Sequence, residues 1–197
     1  MASLPPIIKC SRLLAATCLF TSLLSTASAG DPPPRSSPES VVRQFCQQDF
    51  DGARTRGATS AKIEGLVLWE FEPGWDTVTV VKSFRILSSH KLAKKAIVVV
   101  EFETLGEMPA WDFVLKREKE RVQFTLQLGD REWQWKNDEA VLVPGRLQWR
   151  ITEPVLQPHI SLPYSIEHTK WLIGTQDDPK HQLGVTLKRL TALQSGD

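Results

Sequence analysis

Cysteine is nearly absent from this chain. Three occur in 197 residues, and Cys10 and Cys18 fall in an N-terminal stretch with the marks of a leader. That leaves Cys46 alone, so no intrachain disulfide can form and the domain has to be held by its core. The single Asn, Asn137, is followed by Asp138 and Glu139, which makes no glycosylation acceptor. An excess of one charge sign is also missing. Lys plus Arg is 24 and Asp plus Glu is 23, which excludes a nucleic-acid binder driven by bulk charge. Also missing are a Cys pair for a zinc ribbon, a Gly-rich phosphate loop, a Gly-x-Ser-x-Gly elbow and a calcium loop. His159 and His168 are nine residues apart and do not share a helical face, and Asp178 reads as a helix cap. No metal and no cofactor is therefore expected.

No apolar run is long enough for a good membrane span. Leu13 to Leu24 is the longest, and it is rich in Ser and Thr. With Lys9 and Arg12 before it and Ala27-Ser28-Ala29 after it, residues 1–29 read as a cleaved signal peptide. An uncleaved anchor is the competing reading. The expected product is an exported chain, periplasmic or secreted, starting at Gly30. The leader holds two bases and no acid, so 24 against 23 becomes 22 against 23 in the mature chain. Residues 30–37, with Pro32, Pro33 and Pro34, read as an extended linker. After it comes a single domain over 38–197, with a helical extension from about 161. No membrane span is expected once the leader is gone.

The mature chain begins with a helix. Ser36 and Glu39 have capping-box spacing and Pro38 suits the first turn. Val41, Val42, Phe45 and Cys46 recur at helical spacing, which reads Cys46 as a packing residue. Asp51-Gly52 interrupts it. A second helical stretch through Ala53 and a short one over 60–66 are expected. From Val67 the period changes to that of strands, expected over 67–71, 77–87, 96–105 and 111–119. Val122, Phe124, Leu126 and Leu128 alternate with polar residues as a half-buried strand. Gly129-Asp130 reads as a turn, Trp133 and Trp135 as one face of the next strand, and Leu147, Trp149 and Ile151 as the last. Ser161 caps a helix through Ile173, and Asp178-Pro179 opens another with Leu183, Leu187 and Leu190 on one face. Helices, then strands, then helices means α+β rather than a parallel α/β sheet. The expectation is N-terminal helices packed on a strongly curved antiparallel sheet, a cone, with extra C-terminal helices.

Several residues are candidates for a ligand cavity. Lys82 shares strand parity with Val78, Val80, Phe84 and Ile86. Three readings stand: a bulge near Val81 turns it to water, it snorkels at the sheet edge, or it lines a polar cavity. Glu101 and Glu103 share a face with Ile97, Val99 and Leu105. Buried, they would form an acid–base pair; exposed, they would pair with Lys116 or Arg117. Seven Trp are present. Trp133 and Trp135, with Trp149 and Trp111, would line an aromatic cavity or pack the core. His159 is either a loop residue or a group at the cone mouth.

The opening helix 37–50 with Asp51-Gly52, the Pro73-Gly74-Trp75-Asp76 turn and the long strands after it resemble the nuclear transport factor 2-like superfamily, over about residues 36–153. The resemblance implies the cystatin-like cone fold. The superfamily holds ketosteroid isomerase-like and polyketide cyclase-like enzymes and many members without known catalysis. Ketosteroid isomerase-like sites combine a buried Tyr with Asp residues in the cone. Here the one Tyr, Tyr164, lies after the last expected strand, so no catalytic residue carries over. The reading is a non-catalytic, exported module that binds a small ligand or a protein partner. The alternative is a small enzyme using acid–base chemistry, a hydratase or isomerase. A homodimer is left open.

Overall fold

The computed structural model describes residues 36–55, 61–69, 73–136, 139–175 and 180–196. The side chains of 61, 62, 135, 136, 139 and 140 lie outside that description, as do the expected leader, most of the expected linker and the expected Asp178-Pro179 helix start.

Helix α1 (Pro38–Phe50) starts one residue later than the capping-box reading. Ser37, not Ser36, is the N-cap, its Oγ accepting from the Ser40 amide at 3.1 Å, with Pro38 in the first turn. Val41, Val42, Phe45 and Cys46 form its buried face. The helix ends at Asp51, and Gly52 takes φ +79. Only glycine suits that position, because an added Cβ would also fall 2.0 Å from the buried Tyr164 ring. The stretch through Ala53 is turn rather than helix. Helix α2 (Ala61–Glu64) is a single turn.

The strands are longer and fewer than the pattern suggests: β1 (Thr77–Leu92), β2 (Lys95–Pro109), β3 (Val114–Lys136), β4 (Glu139–Glu153) and β5 (His159–Ser161). They form one strongly curled sheet, a half-barrel, in the order β4-β3-β2-β1-β5, making the protein mixed α+β. Three expected pieces, 111–119, 122–128 and the Trp133–Trp135 strand, are one strand. Gly129-Asp130 does not turn the chain. It is absorbed by a register jump in which Gly129 faces Gln148 and Arg131 faces Pro144. Further jumps lie at Val80, Val81 and Ser83, at Ile86 and Ser88, and at Thr104 and Gly106. Such irregularities sharpen the twist of long strands, which is how a sheet this long curls. The expected 67–71 strand survives as one parallel bridge from Val67 to Ile151. β5, parallel to β1, is too short to leave a periodic signal.

Ser161 does cap the next helix, α3 (Leu162–Thr175), its Oγ accepting from the Tyr164 amide at 3.2 Å. Gly174 falls just inside its end. α4 (Lys180–Ser195) buries Leu183, Thr186 and Leu190. The main core joins Val42 and Phe45 of α1 to Val98, Val100 and Phe102 of β2, Phe124 and Leu126 of β3, and Trp149 and Ile151 of β4. A second cluster joins Val80, Leu105, Met108 and Phe113 to Leu162, Ile166 and Leu190 of α3 and α4. Removing a fully buried ring such as Phe45 costs about 3–5 kcal/mol.

Candidate functional site

The strand ends, not the strand faces, build a sizeable cleft. Val78 of β1, Met108 of β2, Trp111 in the β2–β3 turn and Ile160 of β5 meet α3 through His168, Trp171 and Leu172. Pro73, Gly74, Trp75 and Asp76 close one side, and Arg54 and Thr55 another. The cleft holds about 730 Å³. The turn carrying Trp111 is fixed by Thr186 Oγ1 donating to the Trp111 carbonyl at 2.8 Å and by the Ala110 amide donating to the Asp76 carbonyl at 2.9 Å. The rings of Tyr164, His168 and Trp171 stack in succession along α3, each pair at 5.7 Å. Residues four and three apart on a helix share a face, which makes this stack possible. Tyr164 Oη hydrogen-bonds Thr55, whose hydroxyl in turn donates to the Gly52 carbonyl.

Beneath the cleft lies a buried ionic node. Arg54 grips Asp49 with two hydrogen bonds, Nε to Oδ1 at 2.9 Å and Nη2 to Oδ2 at 2.7 Å. Both side chains are almost fully buried, at 1% and 2% exposure. Arg54 Nη1 also donates to the Leu156 carbonyl, and its guanidinium lies over Phe45 and Trp69. Asp49 accepts a further bond from the His159 amide at 2.8 Å. His159, buried against Phe102, has Nδ1 2.9 Å from the Gln157 carbonyl and Nε2 3.0 Å from Glu120. Both ring nitrogens therefore face oxygens that can accept a hydrogen bond. The His159 hydrogen bond holds the Glu120 carboxyl below its usual range, against burial, which opposes it. A polar hollow of about 100 Å³ lies alongside, lined by Thr79, Thr104, Glu120 and Gln157 among others.

The residues singled out from sequence do not converge. Lys82 is exposed and lies between the register shifts at Val81 and Ser83, so the bulge reading describes it. It bonds Glu103 at 2.9 Å. Glu101 accepts from Arg85 at 2.7 Å and from Arg121 at 3.1 Å, its direct neighbours on β1 and β3. The expected partners, Lys116 and Arg117, lie five and four residues along β3 from Arg121, the residue that faces Glu101. Hydrogen bonds from Arg85 and then Arg121 lower the Glu101 pKa, and the bond from Lys82 does the same for Glu103. Neither carboxylate faces His159. Trp149 is core, with Lys91 over its ring, and Trp133 sits half-buried on β3 opposite Leu142. The Trp135 side chain lies outside the described residues. Of the seven candidates whose side chains are described, only Trp111 lines the cleft.

Arg54, Trp75, His168 and Trp171 went unread as site residues. The Tyr164–His168–Trp171 spacing was the one available signal. Among the described residues no group of three His, Cys, Asp or Glu is placed to hold a metal ion, and no helix is long and apolar enough to cross a membrane. No protein-family model, curated protein or solved structure matches the chain.

Proposed function

We propose that this is an exported binding module of the nuclear transport factor 2-like cone type, which holds a small, largely apolar ligand in the cleft between the strand ends and α3. The observation that carries the reading is the cleft itself. Its volume lies within the range of small-molecule sites, and Trp75, Trp111 and Trp171 give it aromatic walls, with Thr55, Asp76 and His168 as polar groups among them. The curled sheet and the leading helix support the cone assignment, and the leader sequence supports export. Binding rather than turnover is favoured because the lining cation Arg54 is committed to Asp49 and Leu156. Among the described residues an acid–base enzyme would call on His159 with Glu120, and the hollow beside that pair has room for a few waters rather than a substrate.

Titration of the mature protein with the neutral fluorophore N-phenyl-1-naphthylamine tests this. Enhancement that is lost in Trp111→Ala and Trp171→Ala, with far-ultraviolet circular dichroism retained, supports the cleft. Equal binding by wild type and both variants refutes it. Turnover of hydratase or isomerase substrates that vanishes in Glu120→Gln would replace the binding reading with the enzymatic one.

A further inference from the structure

The first half of β3 is an edge. β3 pairs with β2 from Val114 to Gln127, but with β4 only from Thr125 onward. Residues 114–124 thus have no strand partner on the β4 side among the described residues. Edges of this kind are templates for a further strand, and natural edges are commonly guarded by mixed charges. This one carries an unequal mixture. Lys119 and Arg121 share the outer face, roughly 6.6 Å apart, and Arg117 follows at the register shift between Thr104 and Gly106. All three are exposed. Across from Arg121 and Lys119 on that face lie Glu101 and Glu103.

The nearby carboxylates are already engaged. Glu101 uses both oxygens, one on Arg85 and one on Arg121. Glu103 uses one on Lys82 and one on Ser83. Glu107 and Glu118 both hold Lys116, and Glu120 holds His159. Lys82, Arg85, Arg117, Lys119 and Arg121 therefore outnumber the acids of the face, Glu101 and Glu103, five to two. Arg117 and Lys119 form no ion pair among the described residues. At the start of the same edge the chemistry changes. Val114 and Leu115, 50% and 57% exposed, join Ala192 and Leu193 of α4 around an apolar groove of about 520 Å³.

We propose that this edge and groove dock an extended acidic peptide, added antiparallel to β3, with acids at alternate positions opposite Arg117, Lys119 and Arg121 and an apolar residue at its C-terminal end in the groove. Open backbone groups supply hydrogen bonds, alternate side chains supply specificity, and the groove supplies the anchor. Antiparallel addition places the partner's C-terminal end at the start of β3, where the groove lies. A glycan or nucleic acid would use the charges but neither the backbone edge nor the groove. A second copy fits worse. Self-pairing centred on Glu118 would set Arg117 against Lys119 on the outer face, and like charges directly opposed are destabilising.

The experiment is fluorescence anisotropy with a labelled peptide of alternating glutamate and threonine ending in leucine, at low and high salt. Binding is expected at low salt, weakened about tenfold or more in Lys119→Glu and at high salt. Leu115→Gln and backbone N-methylation of the peptide should each weaken it as well. Equal binding of the N-methylated peptide would overturn strand addition. So would heparin or single-stranded DNA binding where the peptide does not, a sedimentation-detected dimer abolished by Leu115→Gln, or no binding at all. Lys119 and Leu115 are exposed, so each variant is expected to keep its fold.

Discussion

Asp49 and Glu101 are both carboxylates gripped by arginine, and they sit in opposite settings. Asp49 and Arg54 are sealed together under the cleft, with 1–2% of either side chain exposed. Glu101 is itself only 5% exposed, but its partners Arg85 and Arg121 are 66% and 69% exposed. The contacts are equally short. The two settings differ in the cost of losing one partner. On the outer face, water and a second arginine replace it. In the interior, a charge is left unpaired in a poorly solvating place, which costs far more than the pair itself contributes.

The sharpest way to break this comparison is Asp49→Ala. It strands Arg54 and removes the acceptor for the His159 amide, and should cost about 3–5 kcal/mol in urea denaturation. Cys46 gives a second readout. It is buried, and burial first and the nearby Asp49 second push its thiol pKa upward. It should resist a thiol reagent in the wild type and react readily in Asp49→Ala. A loss below about 1 kcal/mol would show that the interior node is no costlier to open than a surface pair.

Gly52→Ala comes next. The new Cβ meets both a left-handed backbone and the Tyr164 ring, so a loss of about 2–4 kcal/mol is expected by the same measurement. An unchanged midpoint would mean that the α1 terminus shifts freely.

Glu120 lies between the two settings, buried at one end and 38% exposed. Its folded pKa is lowered from 4.5, so its contribution is present above that value and lost as pH falls through it and below. Wild type should therefore lose stability below about pH 5 more steeply than Glu120→Gln, by less than about 1 kcal/mol after solvent screening. Parallel curves for the two proteins would remove the pair from the acid response.

The smallest effect is expected on the outer face. Lys82→Ala opens an exposed pair and should leave the denaturation midpoint within error, in low and high salt alike. A clear loss that salt abolishes would make the ladder of charges a structural element rather than a display surface.

Much of the fold was legible. The α1 face, the Ser161 cap and the alternation of Val122, Phe124 and Leu126 are local patterns, and each found its place because local pattern and packing agree. The second half of β3 reads as broken because Gly129-Asp130 looks like a turn, and only the register jump in β4 lets the chain run straight through it. Lys82 broke the alternation because a bulge resets parity, and no composition rule marks where a bulge falls. The site was scarcely legible. Trp75, Trp111 and Trp171 are distant in sequence, and only curling of the sheet brings their segments around one cleft.

By itself, then, the sequence determined the even charge, the α+β order and which faces are apolar. These come from composition and period, which need no neighbours. Tertiary structure alone decided that Asp49 meets Arg54 and the His159 amide, that Glu101 lies between two arginines, and that β4 pairs with only the second half of β3. Each depends on strand order and register. A shift of one residue in either would send the same side chains to the opposite face.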